Sequence, residues 1–261
     1  LYTMLFPDTD KLLCDKKRLV IIPHGSLHYL PFNTLLDSSG NYLIEKYEII
    51  YLPSGSTLSY CREKNTGKNE KLVAYEYGNY KRHPYSPLPG SITEVRAITE
   101  IYRQSKVFKE KEITIDAIEN GCKDKDLIHF AMHSILDPET PMFSKLILPE
   151  EDLEVYKIFN MKLNASLVTL SACSTGLGNI SRGDELTGLS RAFIYAGTPA
   201  VCVSLWDVSD KVTSEFMKIF YGHLKENNNK SQALRLAQKE IMDKYHHPFF
   251  WAPFILIGDW K

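Results

Sequence analysis

Two short stretches give the strongest indication of the fold: residues 127–134 read Leu-Ile-His-Phe-Ala-Met-His-Ser, and residues 167–178 read Leu-Val-Thr-Leu-Ser-Ala-Cys-Ser-Thr-Gly-Leu-Gly. Each begins with an apolar run, which is typical of a buried strand, and each ends in polar or glycine-containing sequence. On an extended strand residues 129, 131 and 133 share a face, so His133 falls at the exit of the first strand. Cys173 falls at the exit of the second.

Around these stretches, runs rich in Val, Ile and Tyr alternate with helical patterns along the whole chain. That alternation predicts a single α/β domain in which helices cover a mostly parallel sheet. The predicted strands are Arg18–Ile22, Glu45–Tyr51, Lys71–Tyr77, Lys106–Phe108, Leu127–Met132, Lys145–Leu148, Leu167–Ala172 and Ala200–Leu205.

The helical patterns give the elements between these strands. One predicted helix begins at Ser91, with Glu94 at capping-box spacing, and the others span Thr114–Asn120, Thr187–Tyr195, Val212–Lys225 and Gln232–Tyr245. The polar stretches Lys64–Glu70, Arg82–Pro89 and Glu226–Lys230 are interpreted as surface connections.

The composition argues against several classes of protein. Lys and Arg number 31 against 32 Asp and Glu, a net charge of −1, so no direct nucleic-acid binding is expected. No apolar run approaches the roughly 18 residues that span a bilayer, and the N-terminus lacks a signal-peptide pattern. We therefore expect a soluble, cytoplasmic protein that does not bind membranes. Because the chain opens at Leu1 instead of Met, we expect it to be part of a longer protein.

The chemistry is expected where the strands end, because ligands of open α/β sheets bind outside the carboxyl ends of the strands. A thiol at the start of a glycine-containing loop is accessible and is flanked by backbone N–H groups that can stabilise an oxyanion. An imidazole on a neighbouring strand can remove the thiol proton and supply one to a leaving amine. His133 and Cys173 are therefore the candidate dyad for acyl transfer.

Other interpretations of these residues stay open at this point. A Cys at the end of an apolar strand is more often a small core residue than a nucleophile. His129 and His133 have a spacing that suits metal ligands on a helix, whereas they lie on a predicted strand without an HExxH pattern. His24 and His28 are expected to stabilise a turn. The other cysteines have no CxxC spacing, and we expect reduced thiols in packing or surface positions at Cys14, Cys61, Cys122 and Cys202.

Several motifs in order resemble the CHAT family of caspase-like peptidases. His-Phe-Ala-Met-His at 129–133 is followed, forty residues after His133, by the Cys of Leu-Ser-Ala-Cys-Ser-Thr-Gly at 170–176. Residues 182–197, 203–210, 220–221, 233–238 and 251–258 are similar to later family segments, and residues 23–35 resemble the opening one. The resemblance covers nearly the whole chain, so we expect residues 1–261 to form one CHAT/caspase-like peptidase domain, the C-terminal part of a longer chain.

The resemblance implies a caspase-like, mostly parallel sheet flanked by helices on both faces, with His133 as acid/base and Cys173 as nucleophile. It implies no metal and no organic cofactor. Family members often carry upstream TPR repeats and some act in bacterial defence, so the expected partners are a protein or peptide substrate and a regulatory upstream domain.

This sequence departs from the family at two positions next to the dyad. Many relatives have Gly after the catalytic His, where this chain has Ser134, and an acidic or amide side chain after the Cys, where it has Ser174. The backbone N–H groups survive, so Ser134 and Cys173 are expected to form the oxyanion hole. A Cβ at residue 134 is expected to narrow the site or restrict its backbone.

Candidate substrate-binding residues follow the next strand and the nucleophile. The resemblance places Trp206 and Asp207 in a pocket wall, and Asp184 lies in the loop after Cys173; a carboxylate there favours Arg or Lys in the substrate. The alternative is that Trp206 packs the sheet end and that Asp184 and Asp210 cap the helices that follow.

The function that these observations favour is a cysteine endopeptidase that cleaves a specific protein partner through an acyl-enzyme. A caspase-like scaffold domain without turnover is the main alternative, supported by Ser134 and Ser174. A different α/β hydrolase is disfavoured because Ser174 lies in no Gly-x-Ser-x-Gly elbow.

Overall fold

A computed structural model describes residues 1–7, 9–64, 69–80, 85–137, 139–171, 184–206, 208–226 and 228–261, without the side chains of 10 and 184–187. Most of its strands coincide with the short apolar runs of the sequence. Their bounds are β1 Arg18–Ile21, β2 Glu48–Tyr51, β3 Leu72–Glu76, β4 Ser105–Lys109, β5 Leu127–Ala131, β6 Ser134–Ile135, β7 Lys145–Ile147, β8 Asp152–Glu154, β9 Leu167–Leu170, β10 Ala200–Ser204 and β11 Phe254–Gly258.

The helices lie between these strands and vary in length from one turn to more than four. Their bounds are α1 Tyr2–Leu5, α2 Asp10–Leu13, α3 Leu43–Lys46, α4 Gly55–Lys64, α5 Gly90–Ile101, α6 Ile115–Gly121, α7 Val155–Ile158, α8 Asp184–Tyr195, α9 Asp210–Lys225, α10 Lys230–Lys244 and α11 Pro248–Trp251. Among the helices of the described ranges, none combines the length and the apolar content needed to cross a bilayer.

The main sheet has the order β1-β2-β11-β10-β9-β5-β3-β4 among the described residues. All neighbours are parallel except β10 and β11, which pair antiparallel. Strands β3, β5, β9 and β10 therefore end at the same edge of the sheet. A smaller antiparallel sheet, β6-β7-β8, continues directly from that edge after β5.

The sheet separates two apolar layers because side chains alternate between the faces of a strand. On β5, Ile128 and Phe130 join the layer that includes residues of α4, α6, α7 and α8, whereas Leu127 joins the layer with residues of α3, α5, α9, α10 and α11. Helices on both faces confirm the predicted α/β, caspase-like architecture.

Two local predictions were wrong, and the strands β6, β8 and β11 were not predicted. The predicted strand Glu45–Tyr51 begins only at Glu48, because residues 43–46 form α3, where the Glu45 carboxylate accepts the Tyr42 N–H at 2.7 Å. Ser91 does not cap its helix: α5 begins at Gly90, and Glu94 is buried instead of returning to the helix start.

The predicted loop Glu226–Lys230 ends in a buried lysine side chain. Lys230 is the first residue of α10 and is fully buried. Burial lowers the pKa of its ammonium to about 8, although the charge of Asp259 acts in the opposite direction. This cluster lies beside the start of β10, since the Asp259 N–H donates to the Pro199 carbonyl at 2.8 Å, so it belongs to the sheet edge opposite the carboxyl ends of β5, β9 and β10.

Candidate active site

Three neighbouring parallel strands, β5, β9 and β10, direct the candidate site residues to one edge. Phe130 of β5 pairs with Leu170 of β9, and Leu170 pairs in turn with Val203 of β10. The chain beyond β5 reaches His133, and the chain beyond β10 reaches Trp206. Beyond β9 it reaches Ser171, whose N–H donates to the Phe130 carbonyl at 3.1 Å.

His133 is buried, with 8% of its surface exposed, and its ring makes a directional contact through Nε2. That nitrogen lies 2.8 Å from the backbone carbonyl oxygen of Ser86. A carbonyl can only accept a hydrogen bond, so Nε2 carries the proton in this contact. In the neutral imidazole, Nδ1 is then the nitrogen that accepts a proton.

Tyrosine rings enclose the same imidazole. The His133 ring centroid lies 4.5 Å from that of Tyr80 and 6.0 Å from that of Tyr85. The Tyr80 hydroxyl also accepts the backbone N–H of His133 at 2.6 Å. Burial raises the pKa of Tyr80 above its ordinary value, so the phenol stays neutral. Ring and backbone of His133 are thus both fixed by the segment between β3 and α5.

We call residues 77–80 and 85–89 of that segment the tyrosine strap. The sequence interpretation of Arg82–Pro89 as a simple surface connection was incomplete, because Tyr85 and Leu88 pack against the core and Ser86 contacts His133. A backbone carbonyl has no side-chain signature, so the Ser86 contact could not be predicted. The available signal was the run of tyrosines at 77, 80 and 85 within polar sequence.

Ser134 begins β6 in an ordinary strand conformation. Its partner on β7 is Leu146, and the Ile147 N–H donates to the His133 carbonyl at 2.9 Å. In an antiparallel ladder this bond makes Ser134–Leu146 a pair that exchanges no hydrogen bonds, so the Ser134 N–H points away from β7. The Cβ at residue 134 therefore does not strain the backbone. Among the described residues, the buried Ser134 hydroxyl has no hydrogen-bond partner.

Several predicted site residues lie outside the described residues. These are Cys173, Ser174 and Asp207; the side chain of Asp184, the first residue of α8, also lies outside them. Trp206 is described: its Nε1–H donates to the Phe249 carbonyl at 3.0 Å, and the two rings stack 6.5 Å apart. Trp206 also contacts both apolar layers of the core at the sheet end.

Asp210 does not cap its own helix. The residue before α9 is Ser209, which makes no side-chain capping bond, and Asp210 is the first residue of α9. Its carboxylate accepts instead the backbone N–H of Gly90, the first residue of α5, at 2.9 Å.

The histidine pair 129/133 does not form a metal site in the described chain, where no cluster of His, Cys, Asp and Glu could hold an ion. His129 is fully buried between Tyr221, whose hydroxyl lies 3.1 Å from Nδ1, and Glu94, whose carboxylate lies 2.9 Å from Nε2. Tyr221 donates in turn to Thr169 at 3.0 Å. This network fixes β5 and β9 behind the site. His24 is exposed and His28 is buried in a 3₁₀ helix, Gly25–Tyr29.

The remaining predicted thiols fall into two groups. Cys61, Cys122 and Cys202 are buried, and Cys14 is exposed. Burial raises the pKa of Cys61 to about 11 and that of Cys122 to about 12, so these two thiols stay protonated at neutral pH.

The fold has counterparts among solved caspase-like structures. Yeast (Saccharomyces cerevisiae) separase, in its complex with securin, superposes with a TM-score of 0.62 at 16% identity, over 89% of this chain and 15% of that one. The Arg-specific cysteine proteinase gingipain R of Porphyromonas gingivalis superposes with a TM-score of 0.53 at 11% identity, over 82% of this chain and 54% of that one. These similarities define a chain with the caspase-like peptidase fold.

The chain belongs to the CHAT domain family, whose sequence model matches residues 1–259. Tetratricopeptide repeat protein 28 of mouse aligns with 93% of this chain at 26% identity, and the human protein aligns with 93% of it at 25% identity. The chain spans only 12% of the length of each of these two relatives.

Proposed function

We propose that this domain is a cysteine endopeptidase in which Cys173 is the nucleophile and His133 the general base and acid. The observation that carries the proposal is the β5–β9 ladder. Its paired residues, such as Phe130 and Leu170, are forty positions apart in sequence, the same separation as His133 and Cys173. Ser171 is hydrogen-bonded to Phe130, and Cys173 is two residues further along the chain. Two peptide units limit the distance between the Cα atoms of residues 171 and 173 to at most about 7 Å.

The tautomer of His133, with its proton on Nε2, leaves Nδ1 as the base for the first step. Nδ1 takes the proton of the Cys173 thiol, and the thiolate attacks the carbonyl carbon of the scissile peptide bond. The C–N bond then breaks, and the imidazolium returns its proton to the leaving amine, so that a thioester on Cys173 remains. Water, losing a proton to Nδ1, attacks the thioester, and the thiol regains that proton as the acid product leaves.

Two further groups support charge that develops during these steps. The Ser86 carbonyl stabilises the imidazolium by accepting from Nε2–H, which keeps Nδ1 facing the reaction. The outward-pointing Ser134 N–H, with the N–H of Cys173, is proposed to stabilise the oxyanion of the tetrahedral intermediate.

The substrate is proposed to be a specific protein with Arg or Lys before the cut. The gingipain neighbour is Arg-specific by name, and the carboxylate of Asp184 or Asp207 is proposed to pair with a basic side chain of the substrate. We further propose regulation by upstream repeats, as the tetratricopeptide repeat relatives suggest, within a defence or signalling system. The separase neighbour was solved with the protein securin, which favours a protein partner for this fold.

A scaffold domain without turnover is the second candidate. It is favoured by the enclosure of His133 under Tyr80 and Tyr85, and by Ser at positions 134 and 174.

Thiol labelling separates the two candidates. With limiting iodoacetamide at pH 7, Cys173 should react about tenfold faster in the wild type than in His133→Ala, because the imidazole increases the thiolate fraction. Exposed Cys14 is the internal reference, since its reactivity should not depend on His133. Buried Cys61 and Cys122 should remain unlabelled. Equal labelling of Cys173 in both proteins, relative to Cys14, would favour the scaffold.

A further inference from the structure

The first residues of α5 and α9 are in direct contact. In addition to the 2.9 Å hydrogen bond from the Gly90 N–H to Asp210 Oδ2, the two backbones approach so closely that a Cβ added at residue 90 would lie 2.2 Å from the Asp210 Cβ. Glycine is therefore required at position 90 by the space available. The Asp210 carboxylate occupies the N-terminus of α5, where a negative charge also complements the helix dipole.

The helix that Asp210 caps is the direct continuation of the tyrosine strap. The Leu88 N–H donates to the Gly78 carbonyl at 2.7 Å, and the Ser91 hydroxyl donates to the Leu88 carbonyl at 2.8 Å. These hydrogen bonds hold the two ends of the tyrosine strap together at the start of α5. Ser86 lies four residues before Gly90 and holds Nε2 of His133.

Asp210 is also the first residue after the loop that carries Trp206. The Ser204 hydroxyl donates to the Trp206 carbonyl at 2.5 Å, and the Trp206 ring is held by the Phe249 carbonyl. Only four positions separate Trp206 from Asp210. Ser86 and Gly90 are likewise four positions apart in sequence, and the hydrogen bond from Gly90 to Asp210 joins these two segments.

We propose that Asp210 is a positioning residue, which couples the Trp206 loop to the acid/base His133 by fixing the start of α5 and with it the Ser86 carbonyl. This inference rests on the proposed function and assigns a role to a carboxylate that does not touch the reacting atoms. Substrate that contacts Trp206 is thereby linked, through the start of α9 and the Gly90 hydrogen bond, to the orientation of the base.

Four variants test the role of Asp210. Asp210→Ala removes the acceptor, Asp210→Asn retains an oxygen that can accept the Gly90 N–H, and Gly90→Ala forces the two helices apart. Gly222→Ala is the matched control, because it is also a helical Gly→Ala change, in α9, and its new Cβ would meet nothing within 4 Å. Thermal unfolding of each variant establishes that it is folded.

The decisive readout is the Nε2–H proton of His133, followed by NMR on the labelled chain. Asp210→Ala and Gly90→Ala should exchange this proton with water at least about tenfold faster than wild type, because Ser86 no longer holds it. Asp210→Asn and Gly222→Ala should stay within about twofold of wild type. In cleavage assays, Asp210→Ala should lower kcat about tenfold to a hundredfold with little change in KM, as expected for a misplaced catalytic group.

The two hypotheses fail in distinguishable ways. Absence of cleavage and of His133-dependent Cys173 labelling in the wild type contradicts the proposed function, while the proton-exchange comparison still judges Asp210. Exchange in Asp210→Ala that matches Gly222→Ala overturns the positioning role, whatever the activity. Failure of Asp210→Asn to restore the wild-type exchange rate also overturns it, because the hydrogen bond is then not the link.

Discussion

His133→Ala is expected to lower kcat/KM for peptide cleavage by about a thousandfold, within the 10²–10⁴ range of general acid–base catalysis. The variant loses both proton transfers, from the Cys173 thiol and to the leaving amine. It also leaves the Ser86 carbonyl and the ring of Tyr80 without their partner. The rates are measured at saturating and limiting substrate with the full chain.

The control for this prediction is His246→Ala, a change of the same residue type at an exposed position. It should retain the wild-type rate. His133→Ala protein that unfolds at the wild-type temperature and still cleaves within tenfold of the wild-type rate would remove His133 from the mechanism.

Gly197→Ala is expected to have the largest effect on stability, about 3–5 kcal/mol in the free energy of unfolding. Gly197 follows α8 and leads into β10 with a φ of +118°, which costs a side-chain-bearing residue about 1–3 kcal/mol. The added Cβ would also lie 2.2 Å from the Leu163 carbonyl oxygen. The Leu163 backbone is held in place there, because its N–H donates to the Ala196 carbonyl at 2.7 Å. Relieving that overlap costs a further 1–3 kcal/mol or so.

Urea unfolding measures this difference against Gly222→Ala. The control residue lies in the last turn of α9, three residues before its end at Lys225, with open space beside it, so its replacement should stabilise the helix by about 0.5–1 kcal/mol. Gly197→Ala with a midpoint equal to that of Gly222→Ala would show that the chain between α8 and β10 does not have the conformation described here.

The sequence predicted the strands that position the site because their signals are local. Leu127–Ala131, Leu167–Leu170 and Ala200–Ser204 are apolar runs of strand length, and each prediction overlaps the observed strand. Strand β11 has the same kind of apolar composition, Phe-Ile-Leu-Ile-Gly, but a five-residue run close to helical sequence does not reveal that it pairs between β2 and β10.

The predictions that failed depend on tertiary contacts. Glu94 stands at capping-box spacing from Ser91 in the sequence, yet its carboxylate lies 2.9 Å from the buried His129 imidazole, and this core contact prevails over the capping contact. Asp210 caps the neighbouring helix because Gly90 admits close approach there. The contact of the Ser86 carbonyl with His133 could not be predicted, because every residue has a backbone carbonyl and the residue type does not distinguish this one. Of the candidate site, His133 and its strand could thus be read from the sequence, whereas the groups that orient it could not.

Cleavage of a mixed peptide library by the full chain beside Cys173→Ala, with products identified by mass spectrometry, tests the proposed nucleophile directly. We expect cuts by the wild type that are absent from Cys173→Ala, with Arg or Lys before each cut if Asp184 or Asp207 selects the substrate. The same cuts produced by Cys173→Ala would contradict this proposal, because the bond would then be broken without the proposed nucleophile.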